Sequence, residues 1–168
     1  DLLPQHIRPH SVIMNPPFSS TAGRLSRNDP IYGARHVDSA LRRLDTDGRL
    51  VAIVGGSMAM GAQKFREWWL RVARSYNVRA NLTISGKEFA KMGTTVDTQI
   101  IVIDKDGSTP GATWAEQLKH IVFGRVDTLE EAWEKLKHLT DRAPRAQAAT
   151  EEDKIETQVF APYVVRRL

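Results

Sequence analysis

Short apolar runs, separated by polar and Gly/Pro-rich breaks, divide the chain into alternating strand and helix signals. Residues 11–14 (SVIM) form an apolar run stopped by Asn15-Pro16-Pro17, which reads as a buried strand. Residues 23–32 are polar with Gly, Asn, Asp and Pro, and read as a loop. Over 34–44, Val37, Ala40, Leu41 and Leu44 recur at helical spacing, with arginines on the other face. Asp47-Gly48 marks a turn, and 49–54 (RLVAIV) reads as a second buried strand ended by Gly55-Gly56. Residues 63–76 predict a second helix, with Phe65, Trp69, Val72 and Tyr76 on one stripe. Trp68 adjoins Trp69, so at most one of the pair belongs to that stripe. Residues 78–84 and 98–103 (TQIIVI) predict a third and a fourth strand.

The order strand, helix, strand, helix, strand, strand predicts an α/β fold with a mostly parallel sheet covered on both faces. No helix separates the last two strands, so they are expected as an antiparallel pair at one edge. Residues 1–105 form this unit. Residues 106–140 read as a βα appendage, with a strand at 120–126 and a helix opened by Thr128 and Glu131 in capping-box spacing. Residues 141–168 read as a linker rich in Ala and charge, then a short apolar tail at 158–165 that could pair with something.

Composition narrows the chemistry. The 168 residues include no Cys, which removes disulfides, thiolate metal sites and thiol nucleophiles. The histidines His6, His10, His36, His120 and His138 show no metal-ligand spacing. No run approaches a membrane span and no signal peptide opens the chain, so a cytoplasmic protein without a membrane partner is expected. The net charge of +4 fits a polyanion partner without requiring one.

Asn15-Pro16-Pro17-Phe18 after a hydrophobic strand is the most informative feature. Composition alone yields such a tetrapeptide at about one position in 10⁵. An Asn side-chain oxygen and a neighbouring backbone carbonyl are both acceptors, and together they can hold the two protons of a planar NH₂ group. Two prolines fix φ and remove competing N–H donors. The Phe18 ring offers a face on which a flipped base can stack. The bland alternative is a strand-ending turn in which Asn15 caps and Phe18 packs.

Here the chain resembles the S-adenosylmethionine-dependent amino-methyltransferases with a Rossmann-like class I sheet, above all the adenine-N6 DNA methyltransferases, whose motif is Asn/Asp-Pro-Pro-Tyr/Phe. Residues 1–105 carry the resemblance. It implies direct in-line attack of the amine on the methyl group of S-adenosylmethionine, with Asn15 and the Pro16 carbonyl orienting the amine, Pro17 stiffening the loop and Phe18 stacking on adenine. Asp1-Leu2-Leu3-Pro4 resembles the family's acidic segment, which implies that Asp1 binds the cofactor's adenine. Phe89, ahead of Gly93-Thr94-Thr95, resembles the later loop that contacts the base, with a packed aromatic as the equal alternative. The phrase VIMNPPFSS, taken with the His36 helix, DGRLVAIVGG, the Trp68-Trp69 helix and the Gly-Thr-Thr strand, is more particular. It is similar to methyltransferase regions that accompany strawberry-notch-type helicase segments in bacterial mobile-element proteins.

Arg24, Arg27, Arg35, Arg42 and Arg43 cluster around the loop after the motif, and Arg24 and Arg27 are candidates for DNA phosphate contact. Interleaved Asp29, Asp38, Asp45 and Asp47 support a solvated face equally well. His36 is a candidate base, though a helix-face histidine is favoured. RNA or a protein glutamine amide would suit the same motif, and a non-catalytic scaffold would suit the half-fold.

The resemblance is incomplete at the N-terminal side. The family's Gly-rich cofactor loop and its acidic ribose-binding residue precede the acidic segment, and neither is present upstream here. Val51–Gly61 (VAIVGGSMAMG) also runs strand, glycines, helix, but lacks Gly-x-Gly-x-x-Gly spacing and a following acidic residue. It reads instead as a strand-to-helix turn needing positive φ. The chain is therefore expected to be a fragment, with a missing N-terminal half or a partner chain completing the cofactor pocket. Residues 1–168 alone should bind S-adenosylmethionine weakly or not at all in a calorimetric titration, and tight one-to-one binding contradicts this.

Overall fold

The computed structural model describes Pro4 and residues 6–17 and 31–140. Five strands form one sheet: β1 (Ser11–Met14), β2 (Arg49–Gly55), β3 (Asn77–Ile84), β4 (Thr98–Asp104) and β5 (Val122–Val126). Four helices accompany them: α1 (Tyr32–Arg43), α2 (Arg66–Ser75), α3 (Trp114–Leu118) and α4 (Leu129–Leu136).

The strand order is β1-β2-β4-β3-β5. β1 pairs parallel with β2, and β5 parallel with β3, while β4 is antiparallel to both β2 and β3. The sheet is thus mostly parallel with an antiparallel β3–β4 pair, as expected, but that pair does not form the edge. The β2–α2–β3 crossover leaves a gap one strand wide, and β4 turns back from β3 to fill it. Residues 106–140, read as an appendage, extend the same sheet through β5.

One face is covered by α1 and α2. Val37 and Leu41 of α1, and Trp69, Val72 and Ala73 of α2, pack with Leu50, Ala52, Val54, Ile101 and Ile103. Trp69 is fully buried and its indole N–H donates to the Met58 carbonyl at 2.9 Å. Trp68 points aside and donates to Asp38 of α1 at 3.2 Å. Arg71 pairs with the same carboxylate at 2.9 Å, so one acidic side chain joins the two helices. Lys105 closes the C-terminus of α1 by donating to the Leu44 carbonyl at 2.6 Å, where the helix dipole favours a cation.

The opposite face is covered over β3, β4 and β5. Ala132 and Leu136 of α4, and Leu139 after it, pack on Leu82, Ile84, Val102 and Val126. A register shift between Val78 and Ala80 lets β3 feed both faces, with Val78 in one core and Ala80 in the other. Thr128 caps α4 as expected, accepting from the Glu131 amide at 3.2 Å. The same capping logic builds α3, where Thr113 and Glu116 satisfy each other's backbone amides. That helix has only one turn, with Trp114 and Leu118 as its apolar positions against the core, so it is too short for periodicity to reveal it.

Replacing Trp69 with Ala should cost about 3–5 kcal/mol in urea unfolding, because it opens a cavity and removes one of the two hydrogen bonds to the Met58 carbonyl. Trp68→Ala should cost about 1 kcal/mol, and equal losses at the two positions contradict the packing described.

Candidate active site

Because β4 runs against the other four strands, its start lies at the rim formed by their C-terminal ends. The register places Gly55 of β2 and Ile84 of β3 both opposite Thr98, and Val126 of β5 opposite Ile84. Asn15 leaves β1 at the same rim, one residue beyond the Met14–Ala52 pair. Ligands of open α/β sheets sit outside this edge.

Pro16 is buried, whereas Asn15 and Pro17 are exposed. The loop is thus held by a proline ring while the amide beside it faces outward. The Asn15 side chain makes no hydrogen bond among the described residues. Among the described residues it is therefore neither buried nor bonded to neighbouring backbone. Phe18, Asp1, Arg24 and Arg27 lie outside the described residues.

The Phe89 ring is half-buried and packs with Leu82, Ile84, Val126 and Ala132, the satellite core under α4. Of its two readings, the packed aromatic describes its position. His36 lies on the first turns of α1 with its ring edge-on to Tyr32, at a centroid distance of 4.7 Å. That contact fits a helix-face histidine.

The loop after β2 is anchored by two buried amides that the pattern reading passed over. Asn81 donates to the Met58 carbonyl at 3.1 Å and accepts from the Met60 amide at 3.3 Å. Gln99 donates to Thr83 Oγ1 at 2.7 Å and to the Gly56 carbonyl at 3.4 Å. Each is a polar residue inside an apolar strand run, and that interruption is the available sequence signal. Gly55, Gly56 and Gly61 are not among the positive-φ residues, which corrects the expected turn conformation. Gly56 is needed for a different reason: a Cβ there would stand 2.8 Å from the Asp97 carbonyl oxygen. That glycine is closed against protein by Asp97.

Asp97 ties the rim together. Its carboxylate accepts from the Gly86 amide at 2.8 Å and from the Arg125 guanidinium of β5, and its carbonyl accepts from the Gly56 amide at 2.9 Å. The ends of β2, β3 and β5 are thereby fixed to the start of β4. Gly86 leaves no room for a side chain, since a Cβ would lie 1.9 Å from the Thr95 oxygen. Hydrogen bonds from Arg125, then from the Gly86 amide, hold the Asp97 carboxyl below the ordinary carboxylate range.

A cleft of about 300 Å³ opens beside the N-terminus of α2, lined by Met60, Gly61, Ala62, Gln63, Arg66 and Trp114, and shares no residue with the Asn15 loop. No cluster of acidic and histidine side chains suited to a metal occurs among the described residues.

Asp97→Ala should lower stability by about 1 kcal/mol at neutral pH, the discounted value of a half-exposed charge-assisted pair. A depressed folded pKa stabilises above the unfolded value and loses that contribution as pH falls through the folded one. The difference between wild type and variant should therefore be constant near neutrality and vanish below the ordinary carboxylate range. A difference that persists unchanged into acid contradicts the clamp.

No family model and no curated protein matches this chain in sequence. Solved structures do match in shape. A structure of a type I restriction-modification system aligns at TM-score 0.54 and 16% identity, over 92% of this chain and 29% of that one. A Listeria monocytogenes protein described as a class I S-adenosylmethionine-dependent methyltransferase aligns at TM-score 0.53 and 12% identity, over 83% of this chain and 43% of that one. The chain spans less than half the length of either. It has the sheet of the class I methyltransferase fold, with the Asn-Pro-Pro loop at the rim formed by the C-terminal ends of the parallel strands.

Proposed function

We propose that this chain carries the amine-holding half of an S-adenosylmethionine-dependent amino-methyltransferase whose target is the N6 amine of a flipped adenine in DNA. One observation carries the reading: Asn15 stands exposed at the rim, unbonded among the described residues, on a loop pinned by buried Pro16. The unbonded Asn15 oxygen and the neighbouring Pro16 carbonyl can each accept one proton of an aromatic amine and together draw the nitrogen lone pair out of conjugation. An oxygen already bonded within the protein would have to break that bond before accepting from the amine. With Phe89 in the satellite core, the stacking role falls to Phe18.

At Gly56 the loop after β2 is closed by Asp97 rather than open to a ligand. The methyl donor would be held by an N-terminal half or a partner chain. Support for that donor comes from the fold shared with the Listeria protein. Support for DNA comes from the positive net charge and from the likeness to a restriction-modification assembly.

The test is transfer of labelled methyl groups to duplex DNA by this chain within its complete protein. Asn15→Ala should lower the rate by about 10²–10³, the scale of losing one oriented polar group at a reacting centre. It should leave the thermal unfolding midpoint unchanged, because Asn15 is exposed. Undiminished transfer by Asn15→Ala contradicts the mechanism, and label appearing in RNA or in protein contradicts the DNA assignment.

A further inference from the structure

The sheet face opposite α1 and α2 is unevenly covered. Over β3, β4 and β5 it lies under α4 and Leu139, and Leu139 reaches β2 at Val51, but among the described residues none packs over Ile13 of β1 or Ile53 of β2. Ile13 of β1 is 88% exposed and Ile53 of β2 is 41% exposed. The register sets Ile13 beside Val51, and Ile53 beside Ile100, so these side chains form one continuous apolar strip on that face. Strands with both faces apolar belong to sheets covered on both sides. A strip of this kind at the edge of a sheet invites a covering segment.

The chain itself runs to the margin of this strip. After α4, Leu139 is buried against Val51, Ile100 and Val102, and the Arg49 guanidinium at the start of β2 donates to the Leu139 carbonyl. Asp104, almost fully buried, holds that guanidinium at 2.7 Å, and the pairing keeps the arginine charged. Thr140 is therefore delivered over β2, about 10 Å from Ile13 by strand rise and spacing. Beyond it the sequence carries a polar, Ala-rich stretch and then Gln158-Val159-Phe160-Ala161-Pro162-Tyr163-Val164-Val165, the apolar segment of residues 141–168. Residues 141–157 reach about 20–25 Å as a coil and about 60 Å when extended, so they can cover the distance. Tethering at this length sets an effective concentration near millimolar, which favours the chain's own segment over a second copy at micromolar protein. Pro162 removes a backbone donor, which suits an outermost segment rather than an inserted central strand.

We propose that the bare strip over β1 and β2 is the docking site of residues 158–165 of the same chain, with Leu139 and Arg49 holding the near end of the tether. The strip then serves as an intramolecular interface on the side of the sheet away from α1 and α2. The proposal uses the face of β1 and not its outer hydrogen-bonding edge.

The absence of Cys gives a clean background for the test. The full chain is prepared with Ile13→Cys and Val164→Cys, and separately with Phe123→Cys and Val164→Cys. Phe123, on β5 at the far edge, is also exposed, so both pairs avoid the core. Disulfide formation is followed at micromolar protein on non-reducing gels and by mass, with circular dichroism confirming that both variants fold. The Ile13 pair should close within one chain at least about tenfold faster than the Phe123 pair. Equal rates, or no closure at Ile13, overturn the proposal. Disulfides formed only between chains overturn it in favour of a second copy on the strip.

Discussion

The reversal of β4 is the constraint on which the rest of the structure depends. Inserted between two parallel strands, it uses both of its hydrogen-bonding edges and begins where β2 and β3 end. That brings the return loop after β3 to the rim from which the Asn-Pro-Pro loop leaves β1. With strands about 4.8 Å apart, the two loops stand roughly 10–15 Å from one another along the same rim. Asp97 then fixes the arrangement, since one side chain and one carbonyl at the start of β4 bind groups at the ends of three other strands.

Order at this rim is built from polar contacts rather than from apolar burial. Asn81 and Gln99 hold the loop after β2 through side-chain amides, and Gly56 and Gly86 allow backbones to approach more closely than any side chain would permit. The apolar cores lie below, under α1 and α2 on one face and α4 on the other. Such a division suits a site, because the core supplies the stability and the rim supplies fixed acceptors and donors. The Asn15 amide differs from these groups, being exposed and without a partner among the described residues.

Much of this was legible in the sequence. Apolar runs marked all five strands to within a few residues, and helical spacing marked α1, α2 and α4. The Trp68-Trp69 pair separated as adjacency requires, one ring in the core and one at the seam between helices. The position of β4 was not legible, because strand order depends on which gap a crossover leaves, and local pattern carries no record of that. The buried amides were passed over for a related reason: a polar residue within an apolar run looks like a weakness until its partner loop is known. Gly56 showed the limit of reading glycines by conformation alone, since its need is for space. At the rim, the motif marked where the chain leaves β1, whereas the packing of Phe89 in the core under α4 was visible only once α4 was placed.

The account stands on an Asn15 amide that is open and ready to accept from an aromatic amine. Nuclear magnetic resonance of the side-chain amides of labelled chain, titrated with millimolar adenosine monophosphate and with the analogue lacking the 6-amino group, addresses this directly. The account predicts that the Asn15 signals move with the amine-bearing nucleotide and not with its analogue. Equal movement with both, or none with either while other rim residues respond, would contradict it.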